Sequence, residues 1–208
     1  MRNIVALAVA AALSFGVSAA YATQTDGGFF IGAKGGYNSM DYPTDSGTFG
    51  VDTSTGKLSK YMADVHVGYL WPVADVFQLG AQLGYSYYGK YEITETSSSD
   101  VATIKTSSIN LELVGQWNIQ QFFVQARAGA GNVRPSISGT TDQDVTVKSA
   151  WDPMAGLSAG YFFTDNFSAE VYVDHVFGKN YSNFSDMDLT GIKPASMNSA
   201  GLGVTYSF

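Results

Sequence analysis

The sequence predicts an all-β protein, a single eight-stranded antiparallel transmembrane β-barrel of up-and-down topology. Three observations predict it. Apolar residues alternate with polar ones at a period of two through eight segments, each near the ~9–11 residues of a tilted membrane strand. The apolar face of each segment carries no Asp, Glu, Lys or Arg. Between the segments, short and long connections alternate, as strands running up and down in turn require.

Composition narrows the class first. The 208 residues include 23 Gly and no Cys, and only 14% are charged. Residues 1–22 read as a secretory signal: Arg2 supplies the positive start, residues 4–13 the apolar run, and Ala20-Tyr21-Ala22 the small-x-small cleavage pattern. The alternative, a retained anchor, would need a longer run, because a spanning helix takes ~20 apolar residues. The mature chain is then expected to begin at Thr23, with residues 23–208 forming one barrel domain. Loss of Arg2 moves the formal charge from −7 to −8. An exported domain without disulfides must draw its stability from a large core, a metal or a membrane. No later stretch suits a membrane helix, and a chain that spans lipid without helices must close into a barrel. The acidic balance argues against a nucleic-acid partner, since no basic patch is present to neutralise phosphates.

The segments follow in order. Phe29, Ile31, Ala33, Gly35 and Tyr37 alternate with Phe30, Gly32, Lys34, Gly36 and Asn38. Ala63, Val65, Val67, Tyr69 and Trp71 oppose Asp64, His66 and Gly68. Phe77, Leu79, Ala81, Leu83, Tyr85 and Tyr87 oppose Gln78, Gly80, Gln82, Gly84 and Ser86. Ile109, Leu111, Leu113 and Trp117 oppose Asn110, Glu112 and Gln116. Phe122, Val124, Ala126, Ala128 and Ala130 oppose Gln125, Arg127, Gly129 and Gly131. Ala155, Leu157, Ala159, Tyr161 and Phe163 oppose Gly156, Ser158 and Gly160. Phe167, Ala169, Val171, Val173, His175 and Phe177 oppose Ser168, Glu170, Tyr172 and Asp174. Ala200, Leu202, Val204, Tyr206 and Phe208 oppose Ser199, Gly201, Gly203, Thr205 and Ser207.

Three connections are short, at 72–75, 118–121 and 164–166, and four are long, at 41–60, 89–107, 132–150 and 178–198. Short periplasmic turns and long external loops are the asymmetry of bacterial outer-membrane barrels. Both termini are therefore expected on the periplasmic side of a Gram-negative outer membrane. The uncharged apolar faces suit lipid, where an Arg or Lys at mid-bilayer costs about 2–4 kcal/mol. A soluble sandwich would carry some charge there. Aromatic residues gather at one rim, with Tyr69, Trp71, Phe77, Trp117, Phe122, Tyr161, Phe163, Phe167, Tyr206 and Phe208 forming an expected interfacial girdle.

These residues resemble a known family, the transmembrane domain of outer-membrane protein A and the related small outer-membrane β-barrel proteins. GFFIGAKGGYN (28–38) is similar to that family's opening strand, AGLGVTYSF (200–208) to its last strand, and GYFFTDNF (160–167) to its third periplasmic turn. The resemblance implies that Val204, Tyr206 and Phe208 are read as an assembly signal by the barrel-assembly machinery, with periplasmic chaperones as partners on the way. Outer-membrane protein A continues into a peptidoglycan-binding domain, whereas this sequence stops at Phe208, so no cell-wall tether is expected. The resemblance speaks for architecture, because many activities share the scaffold.

The inward faces carry Lys34, Asp64, His66, Glu112, Arg127, Glu170 and Asp174. Glu112 lies five residues above Trp117 and Arg127 five above Phe122, so the two are expected to face each other inside the barrel. One reading is the salt-bridge gate of a narrow pore, as proposed for the resembling family. The favoured reading is a structural ion-pair network, since an eight-stranded lumen is only wide enough for side chains. The inward glycines are read as space-makers, lacking the context of a phosphate loop.

His175 is expected on the lipid face near the external end. Lipid-A-modifying barrels would want a Ser two residues on and a carboxylate to orient the base, and position 177 is Phe. An interfacial His is the better account, and no catalytic residue, metal or cofactor is expected. The Asp142/Asp144 and Asp186/Asp188 pairs lack ligand spacing for calcium. Lys60, Lys90, Arg134, Lys148, Lys179 and Lys193 are candidate contacts to lipopolysaccharide phosphates at the external rim. The expected function is a non-enzymatic, envelope-structural outer-membrane protein, its partners membrane lipid, lipopolysaccharide and a host or surface ligand at the loops. The alternative is a small pore for ions or solutes.

Overall fold

The computed structural model describes residues 27–40, 55–58, 60–94, 101–138, 145–146, 149–178 and 196–208; the expected signal segment lies outside them. Eight long strands form the wall: β1 (Gly28–Met40), β3 (Tyr61–Ala74), β4 (Phe77–Thr94), β5 (Val101–Ile119), β6 (Phe122–Ser138), β8 (Ala150–Phe162), β9 (Phe167–Val176) and β10 (Met197–Ser207). Two short strands, β2 (Thr55–Leu58) and β7 (Val145–Thr146), pair with β4 and β6. Each long strand pairs antiparallel with the long strand before and after it. The ring closes where β1 meets β10, from Phe30 opposite Ser207 to Met40 opposite Met197. Closure leaves no open edge, the condition for strands in lipid. Among the described residues no helix is long and apolar enough to cross a membrane.

The pleat sorts the side chains as the alternation requires. Ile31, Val65, Leu83, Leu113 and Val171 stand on the outside, at least half exposed, while Lys34, His66, Gln82, Glu112 and Glu170 are buried within. The outer band is bounded by aromatic contacts at the short-turn end. Phe29 packs on Tyr69 and Tyr69 on Trp71, Phe77 on Trp117, and Phe122 on Tyr161, with ring centroids 4.8–6.2 Å apart. Tyr161–Phe163 and Tyr206–Phe208 add two further edge contacts at 5.2 and 5.1 Å.

The strands are longer than the apolar faces that reveal them. β4 and β5 continue to Thr94 and from Val101, pairing across residues expected in the 89–107 loop, and β6 runs on to Ser138. Beyond the lipid the outward face needs no apolar residue, so the ladder continues through Lys90, Lys105 and Ser136 with its hydrophobic signature gone. The turns differ too. Pro72, expected to open a turn, stays in β3 at a register shift between Pro72 and Ala74, a bulge that accommodates a residue with no N–H. The next hairpin pairs Ile119 with Phe122, leaving only Gln120 and Gln121 in the turn. Gln120 pays for that tightness with a left-handed φ of 56°.

Candidate functional site

The lumen is stacked in three layers. At the short-turn end Phe123 packs on Phe162, with centroids 5.0 Å apart, and Phe30, Leu70 and Val114 form a second buried apolar cluster. At the opposite end Met62, Tyr88, Val133, Met154, Tyr172, Val176 and Met197 form one continuous buried cluster. Between them lie the charges.

Arg127, on β6, anchors that middle layer and is 2% exposed. Its Nη2 donates to Asp174 Oδ1 at 2.6 Å across β8, and its Nη1 lies 3.7 Å from Glu170 Oε2. Nη1 also donates to Gln125 Oε1 at 2.7 Å and to Ser158 Oγ at 3.1 Å. The other Asp174 oxygen is 3.5 Å from Lys34 Nζ, so one carboxylate bridges two cations. Lys34 also lies over the Tyr172 ring, 5.3 Å from its centroid, which ties the charges to the apolar layer above. A second string begins at His66, whose Nδ1 is 2.7 Å from Asp64 Oδ1. Ser86 Oγ donates to Asp64 Oδ2 at 2.6 Å, and Asn110 Nδ2 donates to that hydroxyl at 2.7 Å. Glu112 accepts from Gln82 Nε2 at 2.7 Å.

All seven expected interior residues are therefore on the inward face, but the expected Glu112–Arg127 pair is not how Arg127 is held. β5 and β6 set Glu112 opposite Gly129 and Arg127 opposite Val114. Counting five residues from each of Trp117 and Phe122 treats those two as partners, whereas the tight turn sets Trp117 against Val124. That two-residue shift is one full inward position, and the guanidinium reaches the carboxylates of β9 instead. Space for this comes from Gly156, where a Cβ would collide with the Asp174 carboxylate.

Little room is left. A cavity of about 20 Å³ lies among Phe30, His66, Gln82, Phe123 and Glu170, enough for about one water. Sequence reasoning missed the outer plug. Tyr88, 2% exposed, fills the lumen below a bulge at Gly89 (φ 97°), where Tyr87 pairs with Ser107 and Lys90 with Lys105. Its carbonyl accepts from Asn38 Nδ2 at 2.9 Å and its hydroxyl is 3.2 Å from Ser108 Oγ. The signal was phase: Met62, Tyr88 and Met154 continue the inward register of Asp64, Ser86 and Gly156.

The remaining described candidates fall outside the lumen. Val204, Tyr206 and Phe208 share the outward face of the last strand, and the Phe208 N–H donates to Phe29 O at 2.9 Å. His175 faces outward, its Nδ1 2.7 Å from Asn198 Oδ1. Lys60 and Lys90 are exposed, and Arg134 Nε donates to Asn132 Oδ1 at 2.9 Å. Lys148, Lys179, Lys193 and the Asp142/Asp144 and Asp186/Asp188 pairs lie outside the described residues.

Comparison with known proteins finds the same closed-barrel fold. Residues 7–208 match the outer membrane protein beta-barrel domain. The chain belongs to that family. It is an integral outer-membrane β-barrel protein. Among curated proteins no sequence matches it. Its fold is similar to Neisserial surface protein A (NspA), at 14% identity and a TM-score of 0.58 over 86% of this chain and 97% of that one. Ail, the attachment invasion locus protein of Yersinia pestis, solved with the heparin analogue sucrose octasulfate, is similar at 13% identity and a TM-score of 0.54, over 88% and 99%. The N-terminal β-barrel domain of Pseudomonas aeruginosa OprF is similar at 14% identity and a TM-score of 0.51, over 87% and 98%. At these identities the likeness is one of fold.

Proposed function

We propose that this outer-membrane barrel is a non-conducting, non-enzymatic envelope protein that works through the end from which its long connections leave. One observation carries the reading: buried side chains fill the lumen on both sides of the charged layer, apolar clusters together with hydrogen-bonded amides such as Gln116 and Asn118, and the cavity beside Glu170 has space for about one water. A continuous aqueous path would need open, hydrated space through both ends. The short-turn end is then periplasmic and the other end external, where Lys60, Lys90 and Arg134 offer cations to anionic lipid or to a surface ligand. The outward row Val204, Tyr206 and Phe208 fits an assembly signal; Phe208→Ala should slow insertion in cells, and unchanged insertion would remove that role. The Phe at position 177 gives His175 no nucleophile where a deacylase-like site would want one.

The test is conductance of the refolded protein in a planar bilayer, with Glu112→Ala beside it. A silent, folded barrel in both cases supports the reading. Discrete openings that change with Glu112→Ala would replace it with a gated pore.

A further inference from the structure

Charge does not balance in the middle of the lumen. Asp64, Glu112, Glu170 and Asp174 bring four carboxylates against the two permanent cations, Lys34 and Arg127. Two negative charges are left over, and a proton on His66 would lower the excess only to one. Buried charge without compensation is costly, so the lumen calls for a further positive charge.

The excess falls at Glu170. Arg127 spends its hydrogen bonds on Asp174, Gln125 and Ser158, and its Nη1 stays 3.7 Å from Glu170 Oε2, beyond hydrogen-bond reach. Lys34 goes to the other Asp174 oxygen. Glu170, 7% exposed, accepts no side-chain hydrogen bond among the described residues. Gly203 stands opposite it on β10 and makes room for the carboxylate, since a Cβ there would lie 2.9 Å from Oε1.

That carboxylate borders the cavity of about 20 Å³. Phe30, Leu70 and Phe123 line it from the apolar clusters of the short-turn end. The groups around Glu170 are oxygen-bearing. Ser168 and Ser207, each 4% exposed, carry hydroxyls with no hydrogen-bond partner among the described residues. Thr205, paired with Ser168 across the ladder, adds a third hydroxyl. Gln82 gives its Nε2 to Glu112, which leaves its carbonyl oxygen for the cavity. One carboxylate and four neutral oxygens thus border a space the size of one water. A water would fill that space and leave the charge excess standing. Ca²⁺ takes about six to eight oxygens, several of them anionic. Among the described residues no three His, Cys, Asp or Glu side chains gather as ligands. A small monovalent cation satisfies both the oxygens and the charge.

We propose that this cavity binds one alkali-metal cation, Na⁺ or K⁺, through the Glu170 carboxylate, the Ser168, Ser207 and Thr205 hydroxyls and the Gln82 carbonyl oxygen. The ion is enclosed as the barrel closes around it. The test is the melting temperature of the full chain, refolded separately in neutral detergent with Na⁺, K⁺, Cs⁺ or N-methyl-D-glucamine chloride at matched ionic strength. Raising Na⁺ or K⁺ at the expense of N-methyl-D-glucamine should lift the midpoint by about 3–5 °C per tenfold once the site fills. The ion with the larger rise is the occupant. Cs⁺, larger than a water molecule, should give no rise. Ser168→Ala with Ser207→Ala removes two ligands without touching Arg127, and should move the rise to about tenfold higher concentration. Glu170→Gln should abolish it. Equal midpoints in all four salts overturn the proposal and leave a water in the cavity. A rise shared by Cs⁺ overturns it as general screening, and one undiminished in the Ser and Glu variants puts the ion elsewhere. Conductance reports closure of the lumen and is independent of these results.

Discussion

Around Arg127 the inward face of the barrel is charged and hydrogen-bonded, whereas around Tyr88 and Phe123 the same face is uncharged and packed with rings and thioethers. The two regions are built from the same strands, a few residues apart. In the middle, the strands converge on a narrow axis, where two cations, four acids, His66 and several amides pair with one another. At the ends, Tyr, Met and Phe side chains fill most of the cross-section, with neutral partners such as Ser108 and Asn118 in place of charges. The lumen is thus organised along its axis as well as across its wall. The middle gains specificity from its network, and the ends keep water from reaching and dissolving it.

The comparison can be broken at the middle first. Arg127→Ala leaves Asp174 and Glu170 facing each other without their shared cation, and should cost about 3–5 kcal/mol in urea unfolding from lipid vesicles. Replacing Arg127 by Met together with Asp174 by Leu should cost much less, because the buried charges leave together. If the single and double variants lose equally, the network is not what holds the middle. Next comes the outer plug. Tyr88→Ala removes a nearly fully buried ring and should cost about 3 kcal/mol, with single-channel recordings showing leak only when Met62→Ala and Met197→Ala are added. Gly156→Ala should cost about 2 kcal/mol, since the new methyl displaces Asp174 from Arg127; unchanged melting would show that the carboxylate has room to move. The smallest effect is at the wall's edge: Gln120→Gly should stabilise by about 1 kcal/mol by relieving the left-handed φ of 56°.

How much of this was legible follows from what each residue faces. Lipid imposes a strict rule, so Ile31, Leu83 and Val171 announce their strands and their outward side without ambiguity. Inward residues obey no such rule. Lys34, Arg127 and Asp174 could be placed inside by phase alone, but their partners depend on register, and a two-residue change in the turn after Ile119 moves Arg127 by a whole inward position. Tyr88 was hidden for another reason: it lies past the last apolar outward residue of β4, where the strand continues in water and alternation no longer marks it. Met62 and Met197, at the outer ends of β3 and β10, were missed in the same way.

The claim on which the rest depends is that the middle of the lumen is sealed from water-soluble reagents. The chain has no Cys, so one can be placed at will. Ser158→Cys puts a thiol beside Arg127, at a position 4% exposed, and Lys60→Cys puts one on the surface. Labelling with a charged methanethiosulfonate reagent then reads access directly. The account predicts fast modification of Lys60→Cys and none of Ser158→Cys until the barrel is unfolded. Modification of folded Ser158→Cys at a rate close to that of Lys60→Cys would contradict it and reopen the lumen as a path.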